Sequence, residues 1–172
     1  MEQNSFCEII ADQTERALWE VKNVIDCIPD ALWDRIYCDM PLWKHVYHTL
    51  HSLDQWFINP MVYAQPPFHC PALNDLDVVT EGYLSRDEIQ RYVRSVSEKI
   101  RAYLTELTDE LLLSCPQSCP YTRFTLILAQ YRHLHTHMGM LMGYIIAQTG
   151  QWPRVLGLTH EIPSQGYDKF FK

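Results

Sequence analysis

The chain has 172 residues and a mass of 20.3 kDa, a size typical of one domain, and we expect 1–172 to form a single domain. Its 47% of hydrophobic and 12% of aromatic residues exclude an intrinsically disordered chain. Its formal net charge is −7, and because no basic cluster offsets that charge locally, the composition disfavours a nucleic-acid partner.

The first predicted helix runs from about Ser5 to Cys27. Ser5 and Glu8 have the spacing of a capping box, in which each side chain accepts a hydrogen bond from an otherwise unpaired backbone N–H. Apolar residues then recur at helical spacing until Pro29, which stops the helix. A further short helical turn is expected within 30–36.

The second predicted helix begins at Pro41, because the fixed φ of proline suits the first helical position. It continues to about Ile58, where the dipeptide Asn59-Pro60 ends it. The following stretch, 59–84, contains four prolines and a glycine and is predicted to be irregular. Irregular segments of this length are uncommon, and they often form the walls or lids of sites.

The third predicted helix opens with a second capping box, Ser85 and Glu88, and runs to about Leu107. A short turn at 108–113 precedes a connector rich in cysteine and proline. The fourth helix is expected at about 122–148 and is ended by Gly150.

The order of these elements indicates the fold class. No segment shows the strict alternation of a strand, and the chain has no internal repeat. Four helices of about 20 residues, joined by short, long and short connections, predict an all-α four-helix bundle. Its long crossover connection lies between helices 2 and 3, and about 152–172 forms an irregular C-terminal tail of the same domain.

The six cysteines are scattered along the chain. The N-terminal residues do not resemble a signal peptide, and no uncharged apolar run reaches the ~18 residues that span a bilayer. We therefore expect a cytoplasmic protein with reduced thiols and no membrane partner. Cys115 and Cys119 are the one close pair. They could bind zinc with His69 and Cys70, but zinc ribbons normally have two close pairs, which disfavours that interpretation.

The eight histidines are unevenly placed. Three fall in the second predicted helix and three in the fourth: His45, His48, His51, His133, His135 and His137. Because His133 and His137 are four residues apart, a helix projects both from one face, as in HxxxH metal sites. The pattern also arises by chance, and polar residues that fill gaps in a helix interface are the alternative.

Helical wheels indicate which face of each helix carries these histidines. On the fourth helix one apolar stripe contains Phe124, Ile127, Leu128, Tyr131, Leu134, Met138, Met142 and Ile145. His133 and His137 lie roughly opposite, on a face that is also apolar, so this helix is expected to be buried on two sides. On the second helix His48 lies away from the main apolar stripe, which leaves it facing a cleft or a partner subunit.

Two segments resemble motifs of the DinB-like proteins. The segment 43–54, WKHVYHTLHSLD, is similar to the second-helix motif of that family, and the segment 132–139, RHLHTHMG, is similar to its fourth-helix HxxxH motif. The order of the elements also agrees, and the likeness extends to about Gln151. Thr136 stands where the family often has a further histidine, a departure that affects the surroundings of the site more than its ligands.

The resemblance implies a four-helix bundle, commonly a homodimer, with three histidines that bind a divalent metal ion, most often zinc or nickel. Carried over residue by residue, the ligands are His48, His133 and His137, with His45 as the alternative to His48. Several relatives are thiol-dependent transferases or isomerases that use bacillithiol or mycothiol. The resemblance thus implies a small-molecule or thiol substrate.

Three neutral imidazoles leave a coordination position open, so such a metal can activate a bound water or hold a thiolate. The leading hypothesis is therefore a metal-dependent transferase or hydrolase that acts on a small molecule. Tyr47, Gln130 and Tyr144 are candidates for groups around the metal, whereas Asp54 is too far along the helix from His48 to be its base. The alternatives are a non-enzymatic bundle with a structural metal, and a metal-free module for small-ligand binding or oligomerisation.

Overall fold

The computed structural model describes residues 5–171, and within that range the fold is mainly helical, as predicted. Five α-helices and one short hairpin follow one another in this order: α1 Phe6–Cys27, β1 Ile36–Tyr37, β2 Met40–Pro41, α2 Leu42–Trp56, α3 Arg86–Thr105, α4 Asp109–Leu112 and α5 Arg123–Thr149. The predicted fourth helix is therefore α5. Short 3-10 turns occur at Asp30–Leu32 and Pro60–Val62, and the rest of 59–84 has no regular secondary structure.

The helix ends lie where the local sequence signals predict them. At α1 the Ser5 hydroxyl accepts from the Glu8 N–H at 3.2 Å, and the Glu8 carboxylate accepts from the Ser5 N–H at 2.8 Å. Ser85 and Glu88 form the same reciprocal pair at α3. Gly150 ends α5 in the left-handed region, at φ +71°, where a side chain would be strained. These signals depend on neighbouring residues alone, which is why they can be identified in the sequence.

The prediction that the chain has no strand is wrong at one place, the hairpin of β1 and β2. Its tip, Cys38-Asp39, has φ values of 46° and 67°, which are uncommon for residues with a side chain. Hairpin turns of this kind usually carry Asn-Gly or Asp-Gly, so the sequence lacks the usual signal. Pro41 pairs with Ile36 and caps α2, instead of being its first helical residue.

Helix α2 is the most enclosed element of the fold. It packs against both α3 and α5, and α1 packs against the same two helices from the other side. The hairpin also contacts α2. As a result even Lys44 and Tyr47 are fully buried, although they lie outside the main apolar stripe of the helix. A wheel that assigns one buried face and one exposed face therefore misjudges α2.

The C-terminal tail lies along α1. The Arg16 guanidinium donates to the carbonyls of Gly157 and His160, at 3.0 and 2.8 Å. The fully buried Asn23 amide donates to the carbonyls of Arg154 and Lys169, both at 2.9 Å. The tail is irregular, as predicted, but it is fastened to the first helix by side-chain to backbone hydrogen bonds that the sequence does not announce.

All six cysteines are free thiols, which agrees with the prediction that none is in a disulfide. Cys119 is buried, while Cys115 is exposed. Within residues 5–171 no helix has both the length and the apolar character that crossing a bilayer demands.

Candidate metal centre

Three histidine side chains meet between α2 and α5. One ring nitrogen from each of His48, His133 and His137 lies within 4.8 Å of the other two. The ring centroids of His48 are 5.3 Å from His133 and 4.7 Å from His137, and those of His133 and His137 are 4.5 Å apart. The structure thus brings together the three residues that the sequence singled out, and all three are partly buried.

The position of α5 explains how its two histidines reach α2. The buried face of α5 contains Leu126, Ile127, Gln130, Leu134, Met138, Leu141 and Ile145. This face is rotated from the predicted stripe: Leu128, which was placed in the stripe, is 46% exposed. His133 and His137 border the buried face, and one helical turn separates them, so both point to the same side of α5.

The ring orientation of His48 suits a metal ligand. Its Nδ1 lies 2.7 Å from the carbonyl oxygen of Asn74, in the crossover segment 59–84. Because a carbonyl can only accept, Nδ1 carries the proton and Nε2 keeps its lone pair. Metal-binding histidines in proteins are commonly oriented in this way, by a hydrogen bond from the other ring nitrogen to a carbonyl.

His133 has an unmet hydrogen-bonding requirement. Its Nδ1 is buried and has no hydrogen-bond partner among the described residues. A buried polar atom without a partner costs free energy, so such a ring favours a ligand that would satisfy it. Zinc and nickel both accept imidazole nitrogen, so the donor set fits either ion.

The protonation state of the cluster also fits a cation site. Burial, with a contribution from the nearby His48, lowers the pKa of His133. Burial lowers the pKa of His137 to about 4, and the neighbouring histidines add to the effect. Both rings are therefore neutral near pH 7, as a metal ligand must be.

Comparisons with protein families, with curated proteins and with solved structures give no match to this chain. The candidate site is therefore supported by its own geometry: three imidazoles, one oriented by a carbonyl, converge from two helices.

The other helical histidines have partners of their own. His45, the alternative ligand, is 3% exposed, and its Nε2–H donates to the carbonyl of Tyr37 at 2.6 Å. His51 donates from Nε2 to the Gln65 side chain at 2.6 Å. The exposed His135 donates from Nδ1 to the carbonyl of Tyr131. None of these joins the cluster among the described residues, so the geometry favours His48 over His45.

The groups that were predicted to surround the metal lie in several places. The Tyr47 hydroxyl is hydrogen-bonded with His69, at 2.8 Å. The buried Gln130 amide accepts from Ser52 at 3.4 Å, so it faces α2. Tyr144 packs its ring on Tyr37 of the hairpin, with the ring centroids 4.6 Å apart. Two contributors were missed, the Asn74 carbonyl and the hairpin, and neither has a sequence signal that would identify it.

Asp54 and the Cys115–Cys119 pair both lie outside the histidine cluster. Asp54 is engaged elsewhere: it accepts from Lys99 at 2.6 Å and from the Tyr92 hydroxyl at 2.9 Å, which agrees with its exclusion as a base for the site.

Among residues 5–171 the histidine cluster is the one group of three or more His, Cys, Asp or Glu side chains that could hold a metal ion, and it contains no cysteine. Neither Cys115 nor Cys119 belongs to such a group, so the described residues give no support to a zinc site there.

Metal-free protein should lose stability as the pH falls from 6.5 towards 4. In this interval the unfolded chain binds more protons than the folded one, because burial lowers the pKa of His137 from 6.5 to about 4. Each unit of pKa shift corresponds to about 1.4 kcal/mol of folding free energy. Because the ring is only partly buried and solvent screens it, we expect a smaller loss of stability in total, about 1–2 kcal/mol. Urea-induced unfolding at pH 7.5 and 4.5, in the presence of a chelator, measures it.

His137→Gln should reduce this pH-dependent loss. The part that remains comes from other histidines, since burial also lowers the pKa of His45, His51, His69 and His133. His135→Gln is the matched control, because it changes an exposed histidine on the same helix and should keep the wild-type pH dependence. Equal pH dependence in wild type and His137→Gln would contradict the assignment of His137 as a histidine that stays neutral in the folded protein.

Proposed function

We propose that this chain is a DinB-like protein that binds one divalent metal ion, zinc or nickel, through His48, His133 and His137. The observation that carries the proposal is the convergence of three ring nitrogens within 4.8 Å from two helices. The resemblance of segments 43–54 and 132–139 to the family motifs supports it independently.

We also propose that the fold is a four-helix bundle with a crossover between its second and third helices. Its support is the ring of contacts in which α1 and α2 each pack against both α3 and α5. The crossover, 59–84, fits this description because it connects α2 with α3 and supplies the carbonyl that orients His48. In such bundles, metal sites are built from side chains on facing helices.

We infer that the site serves a metal-dependent transfer or hydrolysis reaction on a small molecule, with a thiol such as bacillithiol or mycothiol as one substrate. A divalent ion held by three imidazoles supplies a Lewis acid with an open position. The protein's own part is to hold the His133 and His137 rings neutral by burial and to fix the His48 tautomer through Asn74. Tyr144 lies seven residues after His137 and so on the same face of α5, where its ring packs against Tyr37.

A structural metal in a non-enzymatic bundle is the second candidate. It is favoured by the engagement of Asp54 with Lys99 and Tyr92, which removes the carboxylate of α2 that is nearest in sequence to His48. In that role the ion would join α2 to α5 and stabilise the folded protein, with no exchangeable ligand.

Protein purified without a histidine tag should contain about one equivalent of zinc or nickel by elemental analysis. Replacing the native ion with Co²⁺ distinguishes the enzymatic role from the structural one. Under the enzymatic proposal, addition of a small thiol should change the visible spectrum of Co²⁺, because the thiol enters the open position. A spectrum that saturating thiol leaves unchanged would favour the structural role, and protein that binds no ion would contradict both.

We also propose that the chain is a cytoplasmic homodimer. The support for the dimer is the outer face of α5, where Leu128, Gly139 and Gly143 are exposed and nothing lies within 4 Å of a Cβ added at either glycine. A helix face of this kind allows close approach of a second helix. Sedimentation equilibrium at micromolar concentration should give twice the monomer mass of 20.3 kDa, and a monomer alone would contradict the proposal.

A further inference from the structure

A cavity of about 590 Å³ lies between α2, α3 and residues 64–68 of the crossover segment. This volume is in the range of small-molecule sites. Asp54, Phe68, Arg91, Tyr92 and Lys99 are among its lining residues, and no histidine of the metal cluster is one of them. The cavity is therefore a separate feature of the molecule.

Both carboxylates that line the cavity are already engaged. Asp54, 9% exposed, accepts from Lys99 at 2.6 Å and from Tyr92 at 2.9 Å. Glu88 accepts from the backbone N–H and the hydroxyl of Ser85, at 2.8 and 2.6 Å, as part of the α3 capping box. Neither carboxylate is left without a donor by the fold, so the cavity does not require a cationic ligand.

Arg91 is an exposed lining residue whose guanidinium has hydrogen-bond donors free for a ligand. It forms no ion pair with any residue of 5–171, although it lies near enough to Glu88 to act on that carboxylate. Arg91 and Lys99 are two turns apart on α3, about 12 Å along the helix axis. A guanidinium presents donors in a planar fork that matches a carboxylate.

Part of the lining of this cavity is aromatic. Phe68 is 39% exposed and meets the Tyr92 ring edge-on, with the ring centroids 5.3 Å apart. Pro66 and Pro67 extend the apolar surface. Exposed apolar surface inside a concave site favours a ligand with an apolar or aromatic body.

We propose that this cavity binds a small organic anion with an aromatic body, whose carboxylate pairs with Arg91 and whose ring packs against Phe68. The buried Asp54 carboxylate, which accepts from the buried Tyr92 and from the exposed Lys99, forms the fixed end of the site. The proposal does not depend on the metal centre, because the two sites share no lining residue.

The probe is 1-naphthoate, titrated into metal-free protein by calorimetry with a chelator present. Wild type should bind it saturably, and Arg91→Gln should weaken binding at least tenfold, since it removes the paired cation. The uncharged analogue 1-naphthalenemethanol should bind wild type more weakly than 1-naphthoate, with no further loss in Arg91→Gln. Phe68→Ala should weaken binding of both compounds.

Arg94→Gln is the matched control. Arg94 lies one turn further along α3 but lines cavities on the α1 side, so its replacement should leave the affinity for 1-naphthoate unchanged. His133→Ala should also bind as wild type. Equal affinity in wild type and Arg91→Gln, no saturable binding up to millimolar probe, or loss of binding in His133→Ala would each overturn the proposal.

Discussion

Replacing any one of His48, His133 and His137 with Ala should lower the affinity for zinc by at least about 100-fold. A three-histidine site loses a third of its protein ligands in each variant, and loss of an outer hydrogen-bonding partner alone typically costs 10–100-fold. One nitrogen of each ring lies within 4.8 Å of the other two, and the rings have no substitute, since no other histidine joins the cluster among residues 5–171. Competition with a chromophoric chelator at pH 7.5 measures the affinities.

Two controls make this prediction specific. His135→Ala changes an exposed residue between the two α5 ligands, and His51→Ala changes the next histidine of α2, which is bonded to Gln65. Both should bind zinc as wild type does. Loss in His133→Ala and His137→Ala, but not in His48→Ala, would keep the ion and move the third ligand. Equal affinities in all variants would remove the site and the proposed function with it.

Asn23→Ala should destabilise the protein by about 2 kcal/mol, an effect that comes from the tail and not from the metal site. The Asn23 side chain is fully buried and donates to the carbonyls of Arg154 and Lys169, both at 2.9 Å. Alanine leaves the Arg154 carbonyl without its donor, whereas the Lys169 carbonyl keeps the Arg154 N–H at 2.8 Å. An unsatisfied polar group away from water costs about 1–3 kcal/mol. Urea unfolding of the metal-free protein gives the free energy of unfolding.

Asn23→Asp tests the reason for the effect. The two side chains have nearly the same shape, but a carboxylate only accepts, so it would face two carbonyl oxygens without a proton between them. Asp should therefore be more destabilising than Ala. If Asp matches the wild type, Asn23 contributes through packing alone. Asn59→Ala, which removes an exposed amide bonded to the Gln117 carbonyl, should cost under about 1 kcal/mol.

Within the site, the residues that could be predicted are those fixed by local spacing. His133 and His137 share a face because they are four residues apart on one helix, whatever that helix packs against. The choice between His48 and His45 could not be made in this way, because both lie on the same helix three residues apart. It depends on partners distant in sequence: the carbonyl of Asn74 orients His48, and the carbonyl of Tyr37 occupies His45.

By itself the sequence determined the four long helices and, to within about two residues, their ends. The serine and glutamate capping boxes and the left-handed Gly150 act within one turn, so their physics is readable from neighbouring residues. Only the tertiary structure decided which surfaces are covered. A wheel assumes one buried face, yet α2 is enclosed by α3, α5 and the hairpin, and α1 is covered by the tail, because burial depends on every element that packs nearby.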